Sequence, residues 1–142
     1  MNLEYLFVYG TLMSEQASPE TAGLIGQLGR IGPATTKGRL YDLGEYAGAI
    51  VDPSSRTSIY GEVYRLPPDK DLLTKLDLYE EYDPLAPQEC LFVRTRCFAQ
   101  TLDGRNLECW IYTCNGNVKT APLISSGNYA EFKSQLTVDR TD

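Results

Sequence analysis

The sequence predicts an α+β domain built on a mixed, largely antiparallel sheet with flanking helices. Three observations carry this. Segments rich in aromatic and β-branched residues outnumber helical ones, one segment alone repeats apolar residues cleanly at helical spacing, and two strand-like segments are joined through an Asp-Gly pair, a hairpin signal. A doubly wound parallel sheet would need a crossover helix after nearly every strand, and the chain has too few. With 142 residues and 42% hydrophobic content the chain fills one core, so a single domain over residues 1–142 is expected.

Residues 3–9 mix aromatic and β-branched side chains, as in a strand covered on both faces, and Gly10 ends it. Residues 19–28 allow a short helix: Pro19 suits a first turn and Leu24, Ile25 and Leu28 share a face, while Gly23 and Gly26 oppose it. Residues 37–43 and 47–51 read as strands separated by the turn-prone Gly44-Glu45, and Asp52-Pro53-Ser54-Ser55 closes the second. Residues 58–66 form the next strand. Pro67-Pro68-Asp69 opens the best helix, with Asp69 as its cap and Leu72, Leu73, Leu76 and Tyr79 at helical spacing. It ends near Tyr82, before Pro84. Residues 91–100 and 107–114 are strands joined across Leu102-Asp103-Gly104-Arg105. Residues 125–136 read as a C-terminal helix whose polar end frays.

Composition excludes several functions. Thirteen basic residues stand against 19 acidic ones, a net charge of −6, with no basic cluster. Nucleic acid is therefore not an expected partner, since its affinity rests on basic contacts to phosphate. No apolar run approaches the roughly 20 residues that span a bilayer, and no basic region precedes a signal-like segment. A soluble, cytoplasmic protein without a membrane partner is expected. The chain has no histidine. This removes Ser-His and Cys-His dyads and imidazole metal sites, and leaves proton transfer to Asp, Glu, Lys, Tyr or Cys. Cys90, Cys97, Cys109 and Cys114 form no CxxC pair and lie on strand-like segments, so buried thiols are expected rather than disulfides.

Two segments could carry chemistry. At Phe7-Val8-Tyr9-Gly10-Thr11-Leu12 a strand breaks at a glycine, and successive backbone amides there could form a small nest for an anion. A glycine ending a strand is the commoner meaning of such a turn. Glu80, in Leu76-Asp77-Leu78-Tyr79-Glu80, falls in the expected last helical turn. The negative end of the helix dipole and nearby Asp77, Glu81 and Asp83 would favour its protonated form, which suits a proton shuttle. A solvated acidic face is the alternative. Tyr9, Tyr41 and Tyr112 could offer hydroxyls to a cavity, although tyrosines on strands more often belong to the core. Arg94 either pairs with a substrate carboxylate or bridges to Glu62, and the sequence does not choose.

The order of these segments resembles the gamma-glutamylcyclotransferase-like (AIG2-like) family, whose members carry a YGTL or YGSN turn and a later LDxxE segment. Further matches extend over most of the chain. Gly38-Arg39-Leu40-Tyr41 with Gly44-Glu45-Tyr46-Ala47-Gly48-Ala49-Ile50 is similar to a G-x-L-Y…G-x-Y-P element, with Ala47 where proline is usual. Gly61-Glu62-Val63-Tyr64 matches G-E-V-Y, Trp110-Ile111-Tyr112 matches W-x-Y, and Phe92-Val93-Arg94 takes the place of Y-x-R. Ile124-Ser125-Ser126-Gly127-Asn128-Tyr129 resembles a closing I-x-x-G-D-W. Glu81 replaces a frequent glycine and Phe92 a phenol, and either departure could alter substrate choice.

The resemblance implies that the sheet closes into a small mixed, largely antiparallel β-barrel with helices at its openings. It implies an enzyme that cyclises the gamma-glutamyl part of a small peptide or amine to 5-oxoproline and releases the amine. Glu80 would be its general acid and base, and the Tyr9, Gly10, Thr11 and Leu12 turn would hold the substrate, with Tyr41, Arg94 and Tyr112 as further contacts. Asp77, at the pattern's second position, would hold local structure, for example by bonding backbone amides. No cofactor or metal is implied. The alternatives are a non-catalytic small-metabolite-binding module on the same fold and a protein-interaction domain using strand edges. The leaving amine and the oligomeric state stay open.

Overall fold

The computed structural model of the chain describes residues 4–9, 28–42, 47–67, 74–77, 85, 92–114, 121–129 and 132. Among them are six strands: β1 (Tyr5–Val8), β2 (Gly29–Asp42), β3 (Ala47–Val51), β4 (Ser58–Arg65), β5 (Phe92–Thr101) and β6 (Asn106–Cys114). Strand β3 has the expected bounds, β4 and β6 differ from theirs by one residue at one end, and β5 is displaced by one residue at both. Residues 74–77 make one helical turn within the span where a helix was expected. The rest of that helix and all but Leu28 of the helix expected over residues 19–28 lie outside the described residues, as does half of the one expected over 125–136, whose residues 125–128 are not helical while Tyr129 and Phe132 are. Leu28 is a buried bend leading into β2.

Strand β2 departs most from expectation, beginning at Gly29 instead of residue 37. Gly29, Gly32 and Pro33 read locally as breakers, but the chain accommodates them with a bulge between Arg30 and Gly32, where Gly32 takes φ 140°. Pro33 is tolerated for a definable reason. The Gly38 amide donates to the Thr57 carbonyl at 3.1 Å, and antiparallel bonds to one neighbour alternate along a strand. Counting back from Gly38, the odd-numbered residues turn their amides away from β4. Pairing with β5 begins only at Ala34, so the missing Pro33 N–H removes no ladder bond.

The strand order is β3-β2-β4-β1-β6-β5, and β5 returns to pair with β2 through Ala34↔Thr101, Thr35↔Gln100 and Thr36↔Ala99. Strands β2, β4, β1, β6 and β5 therefore close a five-stranded barrel, with β3 added along the C-terminal half of β2. The barrel is mixed because β1 pairs parallel to β6, while its other pairings are antiparallel. Strands β5 and β6 form the expected hairpin, in register from Phe92↔Cys114 to Gln100↔Asn106. At its tip Gly104 takes φ 89°, and the Thr101 amide donates to the Arg105 carbonyl at 2.9 Å.

Alternation along the strands separates two apolar clusters. Phe7, Ala34, Val63, Ala99 and Ile111, one from each barrel strand, meet in a single cluster and fill the interior. Leu6, Val8, Tyr64 and Tyr112 face the other way and pack with Leu28 and with Leu76 of the helical turn. The helix thus lies on the outer face of the β4-β1-β6 portion. Among the described residues, no helix is long and apolar enough to cross a membrane.

Cys97, Cys109 and Cys114 are buried, as expected, Cys97 and Cys109 as free thiols, and Cys90 lies outside the described residues. Cys97 and Cys109 face each other across the hairpin, and their mutual hydrogen bond with burial pushes the Cys109 thiol upward. Asp52 closes the β3–β4 turn. It accepts from the Ser54 hydroxyl at 2.7 Å, the Ser54 amide at 3.0 Å and Arg39 Nη1 at 2.9 Å. The Ser54 hydroxyl, then the Arg39 guanidinium, lower its carboxyl from 3.8 to about 2.

Two outcomes are expected. A Cβ on Gly61 would lie 2.1 Å from the Val8 carbonyl oxygen, whereas one on Gly29 would meet nothing nearer than Arg65 Cβ at 3.6 Å. Gly61→Ala should lose roughly 3 kcal/mol in urea unfolding and Gly29→Ala less than about 1 kcal/mol. Asp52 has a depressed native pKa, so its contribution is complete above pH 3.8 and lost as pH falls through about 2. Urea midpoints across that interval should fall more for the wild type than for Asp52→Asn.

Candidate functional site

The side chains that meet between the barrel wall and the helix centre on Asp77. Its carboxylate is 9% exposed and takes a two-pronged guanidinium: Arg94 Nε donates to Oδ1 at 2.9 Å and Nη2 to Oδ2 at 3.2 Å. The Tyr112 hydroxyl donates to Oδ1 at 2.6 Å. Arg94 and Tyr112 are directly opposite in the β5–β6 register. One rung of the hairpin thus supplies all three bonds. Arg94 also lies over the Trp110 ring, 4.3 Å from its centroid, in cation–π contact.

Tyr112 reaches the other motif as well. Its backbone carbonyl accepts from the hydroxyl of Tyr9, and that hydroxyl accepts from the Ala49 amide at 3.3 Å. Tyr9 is the residue before Gly10, and Asp77 stands three residues before Glu80. A single residue of β6 is therefore bonded to the described end of each motif.

A second buried carboxylate follows the same plan. Glu62, buried at 6% exposure, accepts from Arg30 Nε at 3.0 Å, Arg30 Nη2 at 2.6 Å and the Tyr64 hydroxyl at 3.0 Å. The bridge foreseen between Arg94 and Glu62 is thus replaced by two separate clusters. Asp77 does serve local structure, but through side chains of the hairpin. Tyr41 accepts from Arg39 Nε at 3.2 Å, and no bond among the described residues joins it to the Tyr9, Tyr112 and Asp77 chain. Gly10, Thr11, Leu12 and Glu80 lie outside the described residues. Among the described residues no group of His, Cys, Asp and Glu could hold a metal ion.

The Arg94–Asp77 contact left a readable signal. With the turn at residues 102–105, the hairpin register follows and places Arg94 opposite Tyr112. What the sequence did not supply was the position of the helix over that rung.

A family model described as gamma-glutamyl cyclotransferase, AIG2-like, matches residues 6–131, a span containing every motif named above. The chain belongs to the gamma-glutamyl cyclotransferase, AIG2-like family. Solved structures share the fold. YkqA from Bacillus subtilis is 27% identical with a TM-score of 0.73, the match covering 96% of this chain and 43% of YkqA. This cyclotransferase-family chain thus spans less than half the length of that relative. The ytfP protein from Escherichia coli is 26% identical over 91% of this chain and 98% of its own, with a TM-score of 0.60. An AIG2-like protein from Mus musculus shares the fold at 23% identity, covering 91% of this chain and 89% of that one, with a TM-score of 0.71. No protein of curated function matches the chain.

A test of the buried pair follows from the geometry. Arg94→Met leaves the Asp77 carboxylate buried without its fork and should destabilise the fold by about 3 kcal/mol. Adding Asp77→Asn should recover part of that loss, giving a coupling energy above about 1 kcal/mol in a double-mutant cycle. Additive losses would show that the pair makes no contribution of its own.

Proposed function

We propose that this family member is an enzyme that cyclises the gamma-glutamyl part of a small gamma-glutamyl peptide or amine to 5-oxoproline, releasing the amine. One observation supports the reading above others. The strand residue leading into the Gly10-Thr11-Leu12 turn and the aspartate of the LDxxE segment are bonded to the same tyrosine, so the two motifs named for the family meet through one residue.

The chemistry needs little machinery. Glu80 accepts a proton from the substrate's α-ammonium group, and the freed amine attacks the gamma-carbonyl carbon of the same molecule. A five-membered ring with a tetrahedral centre forms, and its oxyanion is met by amides of the Gly10-Thr11-Leu12 turn. The carboxyl returns the proton to the departing nitrogen, the C–N bond breaks as the oxyanion re-forms the carbonyl, and the carboxylate then takes the second proton from the ring nitrogen and passes it to the released amine, so 5-oxoproline leaves with an ammonium. Because nucleophile and electrophile belong to one molecule, holding the substrate folded supplies much of the acceleration. A single carboxyl suffices, since each proton it takes from the α-nitrogen is one it gives to the leaving nitrogen. In this proposal Tyr41 is beside the substrate, and Tyr9, Arg94 and Tyr112 act on the site through the bonds that run from Tyr9 to Asp77.

The test is 5-oxoproline release from a panel of gamma-glutamyl amino acids and amines, with wild type and Glu80→Gln in parallel. Release by wild type, reduced at least roughly 100-fold in a folded Glu80→Gln variant, is the expected result. Ligand binding without release from any panel member would favour the non-catalytic binding module.

A further inference from the structure

Resting on the cyclotransferase reading, we propose that Tyr112 is a positioning residue for the reaction, setting the placement of the carboxylate-bearing segment relative to the Gly10 turn. Both of its polar ends are already engaged by protein. The phenol, which a substrate-binding role would direct at the ligand, donates to Asp77 Oδ1 at 2.6 Å, while the carbonyl accepts from the Tyr9 hydroxyl. Tyr112 is 4% exposed, so these bonds form away from bulk water and hold their geometry tightly.

The direction of each bond matters. The carbonyl lies in the sheet and reaches Tyr9, whose ring belongs to the interior cluster. The side chain leaves the opposite face and reaches the helical turn packed there. Tyr112 is therefore bonded both to a phenol of the interior cluster and to a carboxylate of the helical turn on the outer face. Arg94, on the same rung, fixes the Asp77 carboxylate by two further bonds. Removing the phenol oxygen leaves that fork in place, so the helical turn stays attached but loses one of the bonds that orient it. An intramolecular cyclisation, in which one carboxyl must reach two nitrogens in succession, is sensitive to such a change.

The experiment compares steady-state cyclisation by wild type, Tyr112→Phe and Tyr64→Phe. Tyr64→Phe removes the equivalent buried phenol from Glu62, the other carboxylate with the same plan. For Tyr112→Phe the expected result is a kcat lower by roughly 10- to 100-fold with KM within about 2-fold of wild type. Tyr64→Phe should lower thermal stability to a similar extent and leave kcat within about 2-fold. If Tyr112→Phe does not fold, Tyr9→Phe cuts the other end of the same chain and should give the same split. An unchanged kcat, a rise confined to KM, or an equal loss of kcat in Tyr64→Phe would overturn the inference while the cyclotransferase reading stands. A wild type that releases no 5-oxoproline overturns both.

Discussion

Ala34, Thr35 and Thr36 of β2 carry the closure on which the rest of the molecule depends. They pair with Gly61, Tyr60 and Ile59 of β4 on one side and with Thr101, Gln100 and Ala99 of β5 on the other. Without the second set of pairings, β2 and β5 would expose edges, and the interior cluster would open to water. Closure also limits what can fill the barrel. Around the closing rungs the interior residues are small, Ala34, Cys97, Ala99 and Cys109, because a five-stranded barrel leaves little width between opposite walls. Thr36 completes the joint by donating its hydroxyl to the Phe98 carbonyl at 2.8 Å.

A filled interior moves polar chemistry to the outer wall. Both carboxylates that are buried among the described residues, Glu62 and Asp77, belong to the side of the wall away from the interior cluster, each with an arginine fork and a phenol. Such ion pairs give little net stability, since desolvation offsets most of their attraction. Their geometry nevertheless constrains the fold. Arg30 and Glu62 flank the bulge between β2 and β4, and a one-residue slip there would turn Arg30 to the opposite face and strand Glu62. Asp77 does the equivalent for the helix, which meets the barrel with Leu76 buried beside a carboxylate that fits over one rung only.

The fold was legible in the sequence wherever a local rule governed it. The Asp103-Gly104 pair marks the hairpin because Gly104 can take a positive φ, and β3 is bounded by turn residues on both sides. The first half of β2 was illegible for the converse reason. Gly29, Gly32 and Pro33 are poor strand residues by themselves, and only the bulge and the timing of the β5 pairing make them acceptable. The site divides along the same line. The candidate residues could be named from motifs, and the hairpin register implied the Arg94 and Tyr112 rung. That Asp77 would sit over this rung depends on tertiary packing, which no local pattern encodes.

The Asp77 pairing also changes the electrostatic argument made from sequence. Read along the chain, Asp77 is one of several acidic neighbours whose like charge would favour protonation of Glu80. In the folded chain the Arg94 guanidinium lies against that carboxylate on two bonds, so the pair presents little net charge to its surroundings. On the proposed reading, repulsion from Asp77 is thereby removed from the account of how Glu80 would exchange protons. The influences left to that proposal are the helix end expected from the sequence, the other acidic residues and the loss of water that substrate binding would bring. In the proposed reaction Asp77 would then act through position, by way of Tyr112 and Arg94, and this is the role that an ion-paired, buried carboxylate on the barrel wall is able to fill.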